Sequence, residues 1–112
     1  MTDSRSPLLA GTLDLLILKT LSLSEMHGYG IAQHIRRLSK DALRVEEGSL
    51  YPALQRAQVK GWIASDARRT PTGRRARYYR ITAKGRRQLA AEEKTFHASV
   101  AATTLVLEGS ES

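Results

Sequence analysis

Cysteine is absent from the 112 residues of this chain, which excludes disulfides, thiol nucleophiles and cysteine-ligated zinc and leads us to expect a reducing, cytoplasmic setting. Large rings are scarce as well. One Trp, one Phe and four Tyr make up 5% of the sequence, and a small core so poor in aromatics gains stability by burying further surface against a second copy. Long apolar runs are missing: Leu15–Leu18 is the longest, far short of a bilayer span, and Met1 to Pro7 has no basic segment followed by an apolar stretch. No membrane partner and no secretory signal are therefore expected. Acidic residues are few, 11 against 18 Lys and Arg, for a formal charge of +7.

The charge is concentrated. Nine basic residues and one acidic residue lie between Asp66 and Arg87, giving +8, whereas the rest of the chain carries nine basic and ten acidic groups, or -1. A local excess of this kind suits contact with an acidic polymer better than general solubility does. Catalysis finds no foothold. His27, His34 and His97 stand alone without a second ligand at helical spacing, Ser49 has no paired base, and no glycine-rich phosphate loop occurs. Neither an enzyme, a metal site nor a cofactor is expected.

Apolar spacing sets out the elements. Leu8 to Leu23 is almost continuously apolar and predicts a helix buried on more than one side; Ile31, Ile35 and Leu38 predict a second, amphipathic helix over Tyr29–Leu38. Pro52 is tolerated early in a helix, so a third is expected to start near Ser49 as N-cap and to stop at Gly61. Its inner face would be Leu50, Ala53, Leu54 and Ala57. Ile63–Arg69 and Arg75–Thr82 alternate as strands about Thr70-Pro71-Thr72-Gly73-Arg74, predicting a β-hairpin that buries Tyr79 and Ile81. Thr82 then caps a last helix running to about Leu107, with Leu89, Glu93, Phe96, Val100, Thr103 and Leu107 in the four-three spacing of a helix–helix seam.

Three helices followed by a hairpin define a mainly α fold of the winged helix-turn-helix type, here with a C-terminal dimerisation helix. The expected division is a DNA-binding unit at 8–82, a dimerisation helix at 83–107, and flexible ends at 1–7 and 108–112. The third helix would present Ser49, Tyr51, Pro52, Gln55 and Arg56 to base edges, and the wing would set Arg74, Arg75 and Arg77 on phosphates or in the minor groove. Tyr29, at the start of the second helix, is a further phosphate candidate. Leu13, Leu16, Ile17, Leu89, Phe96, Val100 and Leu107 are expected at the homodimer interface. An RNA-binding basic module would want an open aromatic sheet, and a winged-helix protein-interaction module has no need of +8 on one hairpin.

Five motifs carry a family resemblance: Gly11-Thr12-Leu13-Asp14 through Ile17-Leu18, His27-Gly28-Tyr29-Gly30-Ile31, Gly48-Ser49-Leu50-Tyr51-Pro52-Ala53-Leu54, Gly61 with Ile63, and Tyr78-Tyr79 followed by Thr82 through Gly85. Over residues 8 to about 90 the chain resembles the PadR family of bacterial transcriptional regulators. The resemblance implies a homodimer on double-stranded operator DNA, usually repressing and released by a small molecule. It departs from the family at Ala57-Gln58, where leucine and glutamate are common, so looser packing of the third helix is expected. The short last helix matches the smaller members, in which an aromatic there lines an effector pocket. Phe96 is the equivalent candidate for a small hydrophobic or aromatic effector.

Overall fold

Ile17, Leu18 and Leu21 from the first helix meet Ile31 and Ile35 from the second, Leu50, Ala53, Leu54 and Ala57 from the third, and Ile63, Tyr79 and Leu89 beyond. Each large aliphatic side chain fully removed from water contributes about 1.5–3 kcal/mol, so this single cluster is what holds the elements together. The computed structural model describes residues 11–109. In chain order it comprises α1 (Thr12–Leu23), β1 (Met26–His27), α2 (Gly28–Leu38), α3 (Glu47–Val59), β2 (Ile63–Arg69), β3 (Arg75–Ile81) and α4 (Ala83–Glu108). The strands form one antiparallel sheet in the order β1-β3-β2.

Helix α1 buries Ile17, Leu18, Thr20 and Leu21 and packs its half-buried Leu13, Leu15 and Leu16 on the same core. Two residues expected at the dimer interface lie inside this packing. Ile17 is 0% and Leu89 7% exposed within one protomer, so both serve the protomer's own core. Apolar spacing marks a buried face without saying what buries it, and here α1 and the start of α4 cover one another.

Helix α3 begins three residues earlier than expected. Glu46 is its N-cap, without a side-chain cap bond, and Ser49 is already inside the helix, its N–H bonded to the Glu46 carbonyl at 3.0 Å. Pro52 therefore lies in the second turn. Its missing N–H leaves the Gly48 carbonyl without an intrahelical donor, which is tolerable because that side of the helix is open to water. The inward set is nevertheless Leu50, Ala53, Leu54 and Ala57. The helix ends on Gly61 at φ +80°, with the Trp62 N–H reaching back to the Ala57 carbonyl at 3.0 Å. That is a Schellman closure, and it needs a residue at ease in the left-handed region.

The hairpin pairs Ile63 with Ile81 at its base and Arg69 with Arg75 at its tip. Gly73, at φ +88°, lets the chain reverse, and the Thr70 N–H bonds the Arg74 carbonyl at 2.6 Å. Tyr79 is buried, but Ile81, expected to be, is only half-buried. The third strand, Met26–His27 against Tyr79 and Tyr78, adds an edge to what the sequence predicts as a bare hairpin.

Thr82 caps α4, its Oγ1 accepting the Gly85 N–H at 3.0 Å. Gly85 lies so close to β2 that a methyl group there would sit 2.0 Å from the Trp62 carbonyl oxygen. With 26 residues, α4 is about 39 Å long, and its last buried residue is Leu89. The radius of gyration, 16.1 Å, exceeds the roughly 13 Å of a compact chain this size; a projecting α4 accounts for the difference. Glu108, expected in a frayed tail, is the final residue of that helix. Residues 1–10 and 110–112, where flexible ends and the start of the first helix were expected, lie outside the described residues. Among the described residues no helix is long and apolar enough to cross a membrane.

Candidate nucleic-acid interface

Because the core takes one side of α3, the opposite side is open: Ser49, Tyr51, Pro52, Gln55 and Arg56 are all exposed. Tyr51 belongs to both environments. It is 43% exposed, while its ring lies across the first residue of α2, where a Cβ on Gly28 would stand 2.7 Å from the phenolic oxygen. Glycine at 28 is thus what lets α3 and α2 approach. Tyr29, the next residue, is 63% exposed, and its hydroxyl accepts a hydrogen bond from Gln33 Nε2 at 2.8 Å.

The wing brings its charge to the same place. Tyr29, Tyr51, Arg74, Arg75 and Arg77 line one cleft of about 660 Å³ between the start of α2, the start of α3 and the hairpin. Of the residues expected to touch nucleic acid, those five are brought together, and Ser49, Pro52, Gln55 and Arg56 continue along α3 outside the cleft. Among the described residues no carboxylate lies within ion-pair distance of Arg74, Arg75 or Arg77. Arg75 stands directly opposite Arg69 in the ladder, a like-charge pairing that works against the hairpin unless something negative lies over it.

Other arginines of the basic stretch are spoken for. Arg68 binds Asp66 at 2.8 Å and also Glu25, and lies 5.1 Å from the Tyr78 ring centre; Arg80 reaches Asp66 at 3.3 Å. The hydrogen bond from Arg68 holds the Asp66 carboxyl below its ordinary range, and the two carboxylates raise the Arg68 guanidinium in turn. Arg77 donates to Ser65 Oγ at 3.0 Å, which donates to Gln58 Oε1 at 2.7 Å. This chain ties the wing to the end of α3, and it uses the glutamine at which the sequence departs from the family. Burial pushes the Tyr79 hydroxyl above the ordinary phenol range, Tyr51 adding to the effect.

Of two polar residues beside the cleft, Gln33 is not singled out from sequence, and His27 is weighed there only as a metal ligand and as part of a family motif. Gln33 holds the Tyr29 hydroxyl, and a Tyr and Gln four apart on a helix is a signal that could have been read. His27 caps α2, its Nδ1 accepting the Gly30 N–H at 3.0 Å, a role more often filled by Ser, Thr, Asp or Asn.

A three-helix unit whose third helix lies beside an arginine-bearing β-hairpin is a winged helix-turn-helix, the architecture of DNA-binding regulators. The pattern defining the transcriptional regulator PadR-like family matches residues 17–91, and the chain belongs to that family. Regulators of this family bind DNA and are not enzymes. Among its relatives, the transcriptional regulator Rv3488 of Mycobacterium tuberculosis is 37% identical over 71 residues, 63% of each chain. A PadR-like transcriptional regulator from Bacillus cereus superposes with a TM-score of 0.77 at 30% identity, covering 94% of this chain and all of that one. A PadR family transcription regulator from Clostridium difficile does so at 0.75 and 27%, covering 87% and 99%.

Proposed function

We propose that the chain acts as a homodimeric repressor that reads an inverted-repeat operator, with one α3 in each of two successive major grooves about 34 Å apart. The observation that carries this reading is the shared cleft: Arg74, Arg75 and Arg77, none ion-paired to a carboxylate among the described residues, open onto the same space as Tyr29 and Tyr51. In this reading Tyr51, Gln55 and Arg56 approach base edges, Ser49 and Pro52 flank them, and Tyr29 with the wing arginines takes phosphates.

The dimer rests on α4. Phe96, Val100 and Leu107 are 37%, 46% and 78% exposed in the protomer, and with the half-buried Leu13 and Leu16 they form the surface a second copy would cover. Phe96 also borders a groove of about 330 Å³ between α1 and α4. Leu15, Ala91 and Phe96 line that groove together with Gln88, Glu92, Thr95 and Ser99, a mixed lining in which the apolar three would take a small hydrophobic or aromatic effector, whose binding would release the operator.

Footprinting with purified protein on the DNA upstream of its own gene tests the proposal. Protection of two symmetry-related half-sites is expected, with sedimentation giving twice the chain mass. Uniform, sequence-independent protection by a monomer would overturn it.

A further inference from the structure

Tyr29 stands between two clefts. It lines the wing cleft on one side and, on the other, a groove in which Glu46 and Glu47 accompany Arg36 and Arg44, so the wing side is the one that offers a phosphate net positive charge. A phenol can offer a phosphate only one donor, its O–H, and an exposed phenol turning freely offers it in many directions. Here the ring is held at both ends. Gln33 Nε2 donates to the Tyr29 oxygen at 2.8 Å, so that oxygen is already an acceptor and its own proton is left to point elsewhere. At the other end His27 lies parallel to the Tyr29 ring, 15° between planes and 6.3 Å between centres.

His27 is itself fixed from two directions. Its Nδ1 accepts the Gly30 N–H at 3.0 Å and so closes the first turn of α2, the turn that carries Tyr29. Its ring meets the edge of Tyr78 at 5.4 Å and 85°, and its backbone pairs with Tyr78 in β3. Tyr78 follows Arg77 in the wing strand, so His27 joins the wing to the start of α2.

We infer that His27 and Gln33 are positioning residues for DNA binding: together they aim the Tyr29 hydroxyl proton outward as a donor to a backbone phosphate, in register with the wing. The inference rests on the reading of Tyr29 as a phosphate contact. Since a phosphate contact carries no sequence information, a fluorescein-labelled duplex of mixed sequence is a sufficient probe. The capping hydrogen bond, which closes the turn that carries Tyr29, is the link invoked, so asparagine at 27, a good N-cap, should replace it.

The test measures duplex affinity by anisotropy at about 50 mM salt, with circular dichroism as the folding control. Tyr29→Phe should weaken binding about ten-fold without altering the salt slope, because no charge is removed. Gln33→Ala, a surface change that leaves the fold intact, should cost about three-fold, His27→Ala about five-fold, and His27→Asn less than about two-fold. In combination with Tyr29→Phe, neither Gln33→Ala nor His27→Ala should cost more than a further two-fold or so, since both act through the same hydroxyl. If Tyr29→Phe binds as tightly as the parent, the phosphate reading of Tyr29 fails and this inference falls with it. If Tyr29→Phe weakens binding while the Gln33 and His27 substitutions do nothing, or multiply fully with it, the positioning inference alone is overturned. Failure of His27→Asn to recover affinity would likewise overturn the capping role.

Discussion

Replacing Arg74, Arg75 and Arg77 together with alanine removes the wing charges that share a cleft with the start of α3, and its effect can be worked out in advance. Each phosphate deprived of its arginine should lower the slope of log K against log salt by about 0.9, so the triple variant lowers it by about 2.7 for one wing. Between about 50 and 200 mM salt the parent should then lose about 40-fold more affinity than the variant, and the square of that factor where two wings engage one duplex. Folding should suffer little. Arg75 opposes Arg69 across the ladder, and relieving that like-charge pair offsets part of the loss of the Arg77–Ser65 hydrogen bond, so the melting temperature should fall by no more than about 5 °C. Anisotropy titrations at several salt concentrations give the slope, and circular dichroism gives the melting temperature. Arg68→Ala is the control, because Arg68 is already engaged by Asp66 and Glu25; its slope should change less than that of any single wing variant. An unchanged slope in the triple variant, or an equal change in the control, would refute the assignment of the wing arginines to phosphates.

Further predictions address packing and assembly. Gly28→Ala would bring a methyl group to 2.7 Å from the Tyr51 hydroxyl; the far end of that side chain can swing away, so stability should fall by less than about 1 kcal/mol while duplex affinity drops several-fold. Equal affinity for the variant and the parent would show that the Tyr51 ring position is irrelevant to binding. Gly85→Ala meets a backbone carbonyl at 2.0 Å and cannot be accommodated in that way; about 2–3 kcal/mol of destabilisation is expected, a drop of roughly 10–20 °C by circular dichroism. Val100→Asp places a charge on the exposed apolar side of α4 and should raise the dimer dissociation constant at least about ten-fold, read by sedimentation, with the protomer still folded. Asp66 is held below the ordinary carboxylate value of 3.8, so its contribution to stability is present above that value and fades as pH falls through the lowered folded value; Asp66→Asn should flatten the acid limb of the melting curve.

What the sequence makes legible is the local geometry that apolar spacing and turn residues enforce. Ile31 and Ile35, the inward set of α3, the Pro-Gly reversal of the wing and the Thr82 cap are all readable because each follows from neighbours within a few positions. Less legible are features that depend on distant partners or on very few residues. Two residues of β1 are too short for any period, and the start of α3 at Glu47 lacks a capping side chain to announce it. Leu89 has the spacing of a seam and Ile17 lies in an almost continuously apolar run, yet the surface that covers them belongs to their own protomer. The shared cleft is the same kind of case: five residues spread from Tyr29 to Arg77 converge only after the helices pack, and which arginines are ion-paired among the described residues, Arg68 and Arg80 but not those of the wing tip, depends on where Glu25 and Asp66 come to rest.

Because the chain contains no cysteine, a single thiol can be introduced cleanly at Gln55 on α3 or at Thr72 on the wing tip and coupled to an iron chelate that cuts nearby DNA. Mapping the cuts on a footprinted duplex tests whether helix and hairpin address one stretch of DNA at once. Cleavage from Gln55→Cys inside each major groove, with cleavage from Thr72→Cys on the adjoining backbone and the whole pattern repeated about one helical turn away, is the result expected. Cuts from the helix position without any from the wing, or scattered cuts from both, would contradict it.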